Sequence, residues 1–157
     1  MIARLSALCF CVVLVGCGPE VVRQDRTNGL EMEYFWRSAD VGRAAYYEVA
    51  RDGLFRSSGG AMARDRGTTF QYPLNDDEVR AFVALVEATN FRDRPSESGT
   101  EGELHDLQVR EQGSTTHCEI RGKDAAFDAL RTWCAGIALR QYRDVINAQP
   151  EAGPRAK

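Results

Sequence analysis

A chain of 157 residues, 43% hydrophobic and 27% charged, carries enough apolar mass for one folded domain, which excludes an intrinsically disordered protein. Its formal charge of −3 gives no overall attraction to nucleic acid, so no nucleic-acid partner is expected.

The first element is a leader. Arg4 and the amino terminus make a small positive segment, and Leu5 to Val15 follows, apolar except for Ser6. This run fits the apolar core of a signal peptide and is far shorter than the roughly 20 residues of a membrane-spanning helix. Cys9 and Cys11 lie inside it as small hydrophobes. No later stretch is long and apolar enough to span a bilayer. Ordinary signal peptidase prefers small residues one and three places before the cut, and Leu14 is a poor fit at the third place before Cys17.

Leu14-Val15-Gly16-Cys17 instead resembles the bacterial lipobox: an aliphatic residue, a small or β-branched one, a small one, then cysteine. On that pattern the chain resembles a bacterial lipoprotein precursor. The resemblance implies that the Cys17 thiol receives a diacylglyceryl group, that a dedicated peptidase removes residues 1–16, and that the new amino group is then acylated. Two or more acyl chains, at about 0.8 kcal/mol per buried CH₂, hold a protein on a membrane stably. Loss of the leader removes Arg4 and moves the net charge from −3 to −4. Gly18 follows the cysteine where Asp favours inner-membrane retention in enteric-type bacteria. By the same resemblance, the expected place is the outer membrane, with the domain facing the periplasm.

Residues 17–29 read as a lipid-anchored tether, with Pro19, several charges and a break at Asn28-Gly29. A flexible tether of this length spans on the order of 20 Å. One domain is expected over 30–148 and a frayed tail over 149–157. Leu30 to Ser38 is the first strand, with Met32, Tyr34 and Trp36 alternating with polar residues. Ala44 to Ala50 is the second. Asp52-Gly53 signals a two-residue hairpin into a third strand from Leu54. Arg64 to Gly67 reads as a turn, and Thr68 to Tyr72 as a short fourth strand stopped by Pro73.

Asn75 to Asn90 is a helix. Asn75 caps it, Glu78 completes a capping box, and Val79, Phe82, Val83 and Val86 form an apolar stripe. Arg92 to Gly102 is a polar loop. Leu104–Arg110 and Thr115–Arg121 form a hairpin around Gln112-Gly113, with Leu107 opposite Cys118 and Val109 opposite Thr116. Asp124 to Asn147 is the second helix, burying Phe127, Leu130, Cys134, Ile137 and Ala138, with Trp133 alongside. The order ββββ-α-ββ-α predicts an α+β domain: an antiparallel sheet of five to six strands with two helices on one face.

Cys118 and Cys134 fall on facing core surfaces, and export permits disulfides, so a bond between them is expected. Such a loop adds about 3 kcal/mol in the chain-entropy picture. His117 and Cys118 are strand neighbours on opposite faces and form no dyad. His105 lies on the Leu107 face and His117 on the other. A zinc site from His105, His117, Cys118 and Cys134 lacks ligand spacing. Glu97, Glu101, Glu103 and Asp106 do not match a calcium loop and read as a solvated acidic stretch. Arg51, Arg56, Arg64 and Arg66 read as mixed-charge surface beside Asp52 and Asp65. Tyr34, Phe35, Trp36, Tyr46, Tyr47 and Phe55 leave both sheet faces partly aromatic, the one hint of a partner surface.

No hydrolase, phosphate-loop, dinucleotide or metalloprotease motif occurs. No catalytic residue, metal or cofactor is therefore assigned. The functional expectation is a non-catalytic envelope module that binds a protein or glycan partner. Its rivals are an envelope hydrolase using His105 or His117 with carboxylates brought in by the fold, and an inhibitor or chaperone-like domain offering a sheet edge or aromatic face.

Overall fold

The computed structural model describes residues 24–40, 42–97 and 101–147, without the side chains of residues 141, 142 and 144–147. The lipobox, Cys17, most of the expected tether and the tail lie outside the described residues.

Six strands form one antiparallel sheet in the order β4-β3-β2-β1-β5-β6. They are β1 (Leu30–Arg37), β2 (Ala44–Val49), β3 (Leu54–Gly59), β4 (Phe70–Pro73), β5 (Leu104–Glu111) and β6 (Ser114–Arg121). Three helices accompany them: α1 (Gly60–Arg64), α2 (Asp76–Ala88) and α3 (Ala125–Asn147). Strands β1 to β4 step outward as a meander. The next strand then pairs not with β4 but with β1 at the centre. The pairings make β4 and β5 run parallel, and a parallel connection needs a long crossover. Helix α2 supplies it.

Alternation decides what each face buries. Leu30, Met32, Tyr34, Tyr47, Val49, Phe55, Leu107, Val109, Cys118 and Ile120 point to one side and are buried with Phe82, Val86, Phe127, Leu130, Cys134 and Ile137 of α2 and α3. The expected core stripes of both helices are therefore in place. Their starts follow the expected chemistry. The Asn75 side chain accepts from the Glu78 amide at 2.9 Å, and Glu78 Oε2 accepts from the Asn75 amide at 2.8 Å. Asp124 caps α3 by accepting from the amides of Ala126 and Phe127 at 3.0 and 3.1 Å.

The β5–β6 register is the expected one, with Leu107 opposite Cys118 and Val109 opposite Thr116. Its two-residue turn holds Gln112 and Gly113 at φ +49° and +86°, the pair of positive angles that matches strand twist. The β2–β3 turn differs from expectation. Ala50 donates to the Leu54 carbonyl and Gly53 to the Ala50 carbonyl, so the loop is Arg51-Asp52-Gly53. Asp52 turns its carboxylate back onto the Leu54 amide at 3.1 Å, a local bond that favours the longer loop.

Two other expectations are corrected. Ahead of the turn expected at Arg64 to Gly67, where no helix was expected, lies α1, whose Ala63 is buried against Ala44 and Tyr46, with Phe35 packed alongside, on the face opposite α2 and α3. Five residues give too little periodicity to read. The tether does not run to Gly29. Thr27 is fully buried, the Arg26 amide donates to the Arg51 carbonyl at 2.9 Å, and Arg26 Nη1 donates to the Leu74 carbonyl at 2.8 Å. The folded unit therefore starts by Asp25, whose carboxylate accepts from the Thr27 and Gly29 amides.

Candidate functional site

At the centre of the sheet, β1 and β5 place Trp36 opposite His105, and β6 adds Ile120. All three lie on the face covered by α3. His105 is completely buried. Its Nδ1 lies 2.7 Å from the Tyr34 hydroxyl, and its ring packs edge-on to Phe127 and parallel to Tyr34. Its Nε2 has no hydrogen-bond partner. The nearest carboxylate oxygen, on Glu103, is 4.0 Å away.

Three ligating side chains meet here. One ligand atom each from Glu103, His105 and Asp128 lie within 4.8 Å of one another. Strand alternation brings Glu103 and His105 to the same side, and the first turn of α3 lowers Asp128 onto them. Gly102 and Gly122 allow this end of the hairpin to close: both have φ +86°, and a Cβ on Gly102 would stand 3.2 Å from the Gly122 amide. Burial pushes the His105 imidazole below its ordinary value of 6.5, against the opposing pull of Asp128 and Glu103. The ring is thus neutral near pH 7. Burial likewise keeps the Tyr34 phenol protonated.

Beside this cluster opens a cleft of about 460 Å³ whose lining includes Trp36, Asp40, Arg43, Glu103, Lys123 and Arg131. The Arg131 guanidinium stacks over Trp36, 5.1 Å from the ring centre. Trp36 Nε1 and Arg131 Nε are buried donors without an acceptor. Such donors cost about 1–3 kcal/mol each when left unmade, and here two of them flank one concavity.

The other candidate residues of the sequence separate. His117 sits on the opposite face of the sheet, half-exposed, with Nε2 at 2.9 Å from Asp106 Oδ1. The two histidines do not converge. Of the acidic stretch, Asp106 pairs with Arg66 at 2.6 Å, and Glu97 accepts from the Arg121 amide at 3.2 Å. Only Glu103 joins the His105 cluster, and its partner there is Asp128, which the sequence pattern does not single out. Twenty-two residues separate His105 from Asp128 in the chain, so no local spacing reveals the pair. The one signal is a carboxylate at the start of a helix that must pack across the histidine's face.

The expected disulfide is not formed: Cys118 and Cys134 are free and buried. Cys134 lies by Tyr34 and Tyr47, where its ionised thiolate would oppose loss of either phenol proton. These tyrosines belong to β1 and β2, whereas Cys118 is on the edge strand β6, two strands from β1. Both thiols sit in the one core between the sheet and the helices without being joined. Burial raises both thiol pKa values, the signature of inert structural cysteines.

Of the six aromatics singled out in the sequence, four are buried and two, Phe35 and Trp36, are partly buried. Tyr34, Tyr47 and Phe55 are core, and Tyr46 is buried under α1. The exposed large hydrophobics are Met62 and Leu139. The arginines of the second hairpin are matched by carboxylates. Arg51 lies 3.3 Å from Glu31, Arg56 pairs with Glu48, and Arg66 pairs with Asp106 and Glu33. Arg64 donates to the Gly42 carbonyl at 2.7 Å.

No protein-family model matches this chain, and no curated protein sequence matches it.

Proposed function

We propose that this chain is the precursor of a cell-envelope lipoprotein, held by lipid on Cys17, whose α+β domain is a non-catalytic module binding a protein or glycan partner. The sequence supports the anchor through an apolar leader and a lipobox in register. No helix among the described residues is long and apolar enough to cross a membrane, so a lipid anchor and a folded head are compatible. The binding role is carried by one observation: the cleft beside Trp36, with Arg43, Lys123 and Arg131 in its lining. Three cations outnumber Asp40 and Glu103 there, so the fitting ligand group is an anion, such as a peptide carboxylate or an acidic sugar. Outer-membrane anchoring with the domain in the periplasm is the placement that Gly18 favours.

The anchor is tested by intact mass of the membrane-extracted protein: a start at Cys17 carrying acyl chains supports it, and an unacylated start refutes it. The cleft is tested by a photo-crosslinking residue at Lys123 in cells. Adducts that vanish with Arg43→Glu support the reading, and adducts indifferent to that change refute it.

One observation favours a second reading, an envelope hydrolase: His105 stands beside Glu103 and Asp128 rather than alone. The inhibitor or chaperone-like reading has less support. Tyr34, Tyr46, Tyr47 and Phe55 are buried, and the β6 edge is partly occupied by the segment ahead of it, where the Glu97 amide donates to the Glu119 carbonyl at 2.7 Å and Ser96 Oγ accepts from the Glu119 amide at 3.2 Å.

A further inference from the structure

We propose that Glu103, His105 and Asp128 form a binding site for one divalent transition-metal ion of the zinc class, held by His105 Nε2 and one oxygen from each carboxylate. The site is independent of the anchor, and it adjoins the cleft, with which it shares Glu103.

The buried histidine carries the inference. A completely buried imidazole nitrogen normally has a hydrogen-bond partner, yet His105 Nε2 has none and faces two carboxylates whose oxygens stop short of it. A donor–acceptor pair would close to about 3 Å; Glu103 stays 4.0 Å away. The spacing suits a bridging cation. At bond lengths of about 2.1 Å, tetrahedral ligand atoms stand about 3.4 Å apart. The three atoms lie within 4.8 Å of one another, so contraction by up to about 1.4 Å brings them into range. Glu103 is only partly buried and its flexible side chain can supply much of that movement.

The surroundings fit a metal-binding histidine. The Tyr34 hydroxyl lies 2.7 Å from Nδ1 and 3.4 Å from the Phe127 carbonyl. When Tyr34 donates to that carbonyl and accepts from Nδ1–H, Nε2 is left as a bare lone pair aimed at the carboxylates. An outer hydrogen bond of this kind fixes the tautomer and orients the ring. Two carboxylates balance the two positive charges of the ion. Arg131, with Nη2 at 3.5 Å from Asp128 Oδ1, is the cation that opposes it. A nitrogen ligand in the set selects zinc-class ions over calcium or magnesium. Three protein ligands leave a fourth position for water or an anionic group, and Glu103 is shared with the Trp36 cleft.

The test uses the full chain in detergent, stripped with EDTA after alkylation of accessible thiols, and titrated with Zn²⁺ against a chromophoric chelator. Wild type takes up one equivalent. Glu103→Gln and Asp128→Asn each weaken it more than about 100-fold, beyond the range for outer partners, while Tyr34→Phe weakens it about 10–100-fold. Arg131→Gln strengthens binding, a gain that a merely misfolded variant cannot produce. His117→Ala leaves it unchanged. Co²⁺ in place of Zn²⁺ gives the intense visible bands of a four-coordinate site. His105→Ala opens a core cavity, so the carboxylate variants, checked for native melting, decide the matter. Uptake that survives the Glu103→Gln/Asp128→Asn double variant, uptake lost in His117→Ala, or no uptake by wild type overturns the proposal.

Discussion

The two faces of the sheet handle charge in opposite ways, and the two histidines mark the difference. On the helix-covered face, His105 is enclosed by Tyr34 and Phe127, with one bond to Tyr34 and one orphan nitrogen. On the other face, His117 belongs to a lattice of ion pairs. Glu31 takes Arg110 at 2.9 Å and Arg51 at 3.3 Å. Glu33 accepts from the Tyr46 hydroxyl at 3.1 Å. Even the like-charged neighbours Glu33 and Glu48, directly opposite in the ladder, are each met by an arginine. Inside, polar partners are few, so each loss counts in full. Outside, partners are redundant and water screens what remains.

The largest effect comes from the inner face. Phe82→Ala removes a fully buried ring that tilts against Trp133, with ring centres 6.1 Å apart. It costs about 3–5 kcal/mol, read as a lower urea midpoint with an unchanged slope. Tyr34→Phe is smaller but sharper. It keeps the ring and removes only the hydroxyl beside His105 Nδ1, leaving a second buried nitrogen unmade at a cost of about 1–3 kcal/mol in metal-free protein. A loss below the error of the melt would mean that water reaches the imidazole and that the inner face is not closed.

Asp124→Ala comes next, at about 1–2 kcal/mol for loss of the α3 cap. Burial opposes ionisation of Asp124. The Phe127 amide, Arg94 and the Ala126 amide outweigh it, and hold its carboxyl below the ordinary 3.8. A depressed folded value stabilises the native state above the unfolded value, and that share is lost as pH falls through the folded one. The gap between wild type and Asp124→Ala is therefore widest at neutral pH and narrows below about pH 3.8 in pH-resolved melts.

What the amino-acid pattern can reveal follows the same divide. Alternation and capping are local, so the strands, both long helices, the Asn75 box and the Leu107–Cys118 register are legible in the sequence. Position across the sheet is not local. Cys118 and Cys134 both enter the core, as their pattern implies, yet they stay unbonded, because the approach of two side chains depends on how α3 sits on the sheet and not on local spacing. Asp128 escapes notice for the same reason, since its role exists only once α3 lies over β5. The aromatics of the outer face look like surface in the sequence because α1, too short for a periodic signal, covers Tyr46. Thiol labelling checks the cysteine placement: in denaturant without reductant both Cys118 and Cys134 label, and in the native state neither does.

The smallest effect belongs to the outer lattice. Arg110→Ala deletes a half-exposed guanidinium from Glu31, and Arg51 remains to hold the same carboxylate. The loss is about 0.2–1 kcal/mol. Because the pair is solvent-accessible, that difference shrinks further between about 0.05 and 1 M salt as the screening length falls from over 10 Å to about 3 Å. Tyr34→Phe, removing a bond that no ion can reach, keeps its cost across the same range. A salt-independent loss at Arg110 above about 1 kcal/mol would place the outer face in the same regime as the inner one, and the contrast between the two histidines would then rest on burial of their rings alone.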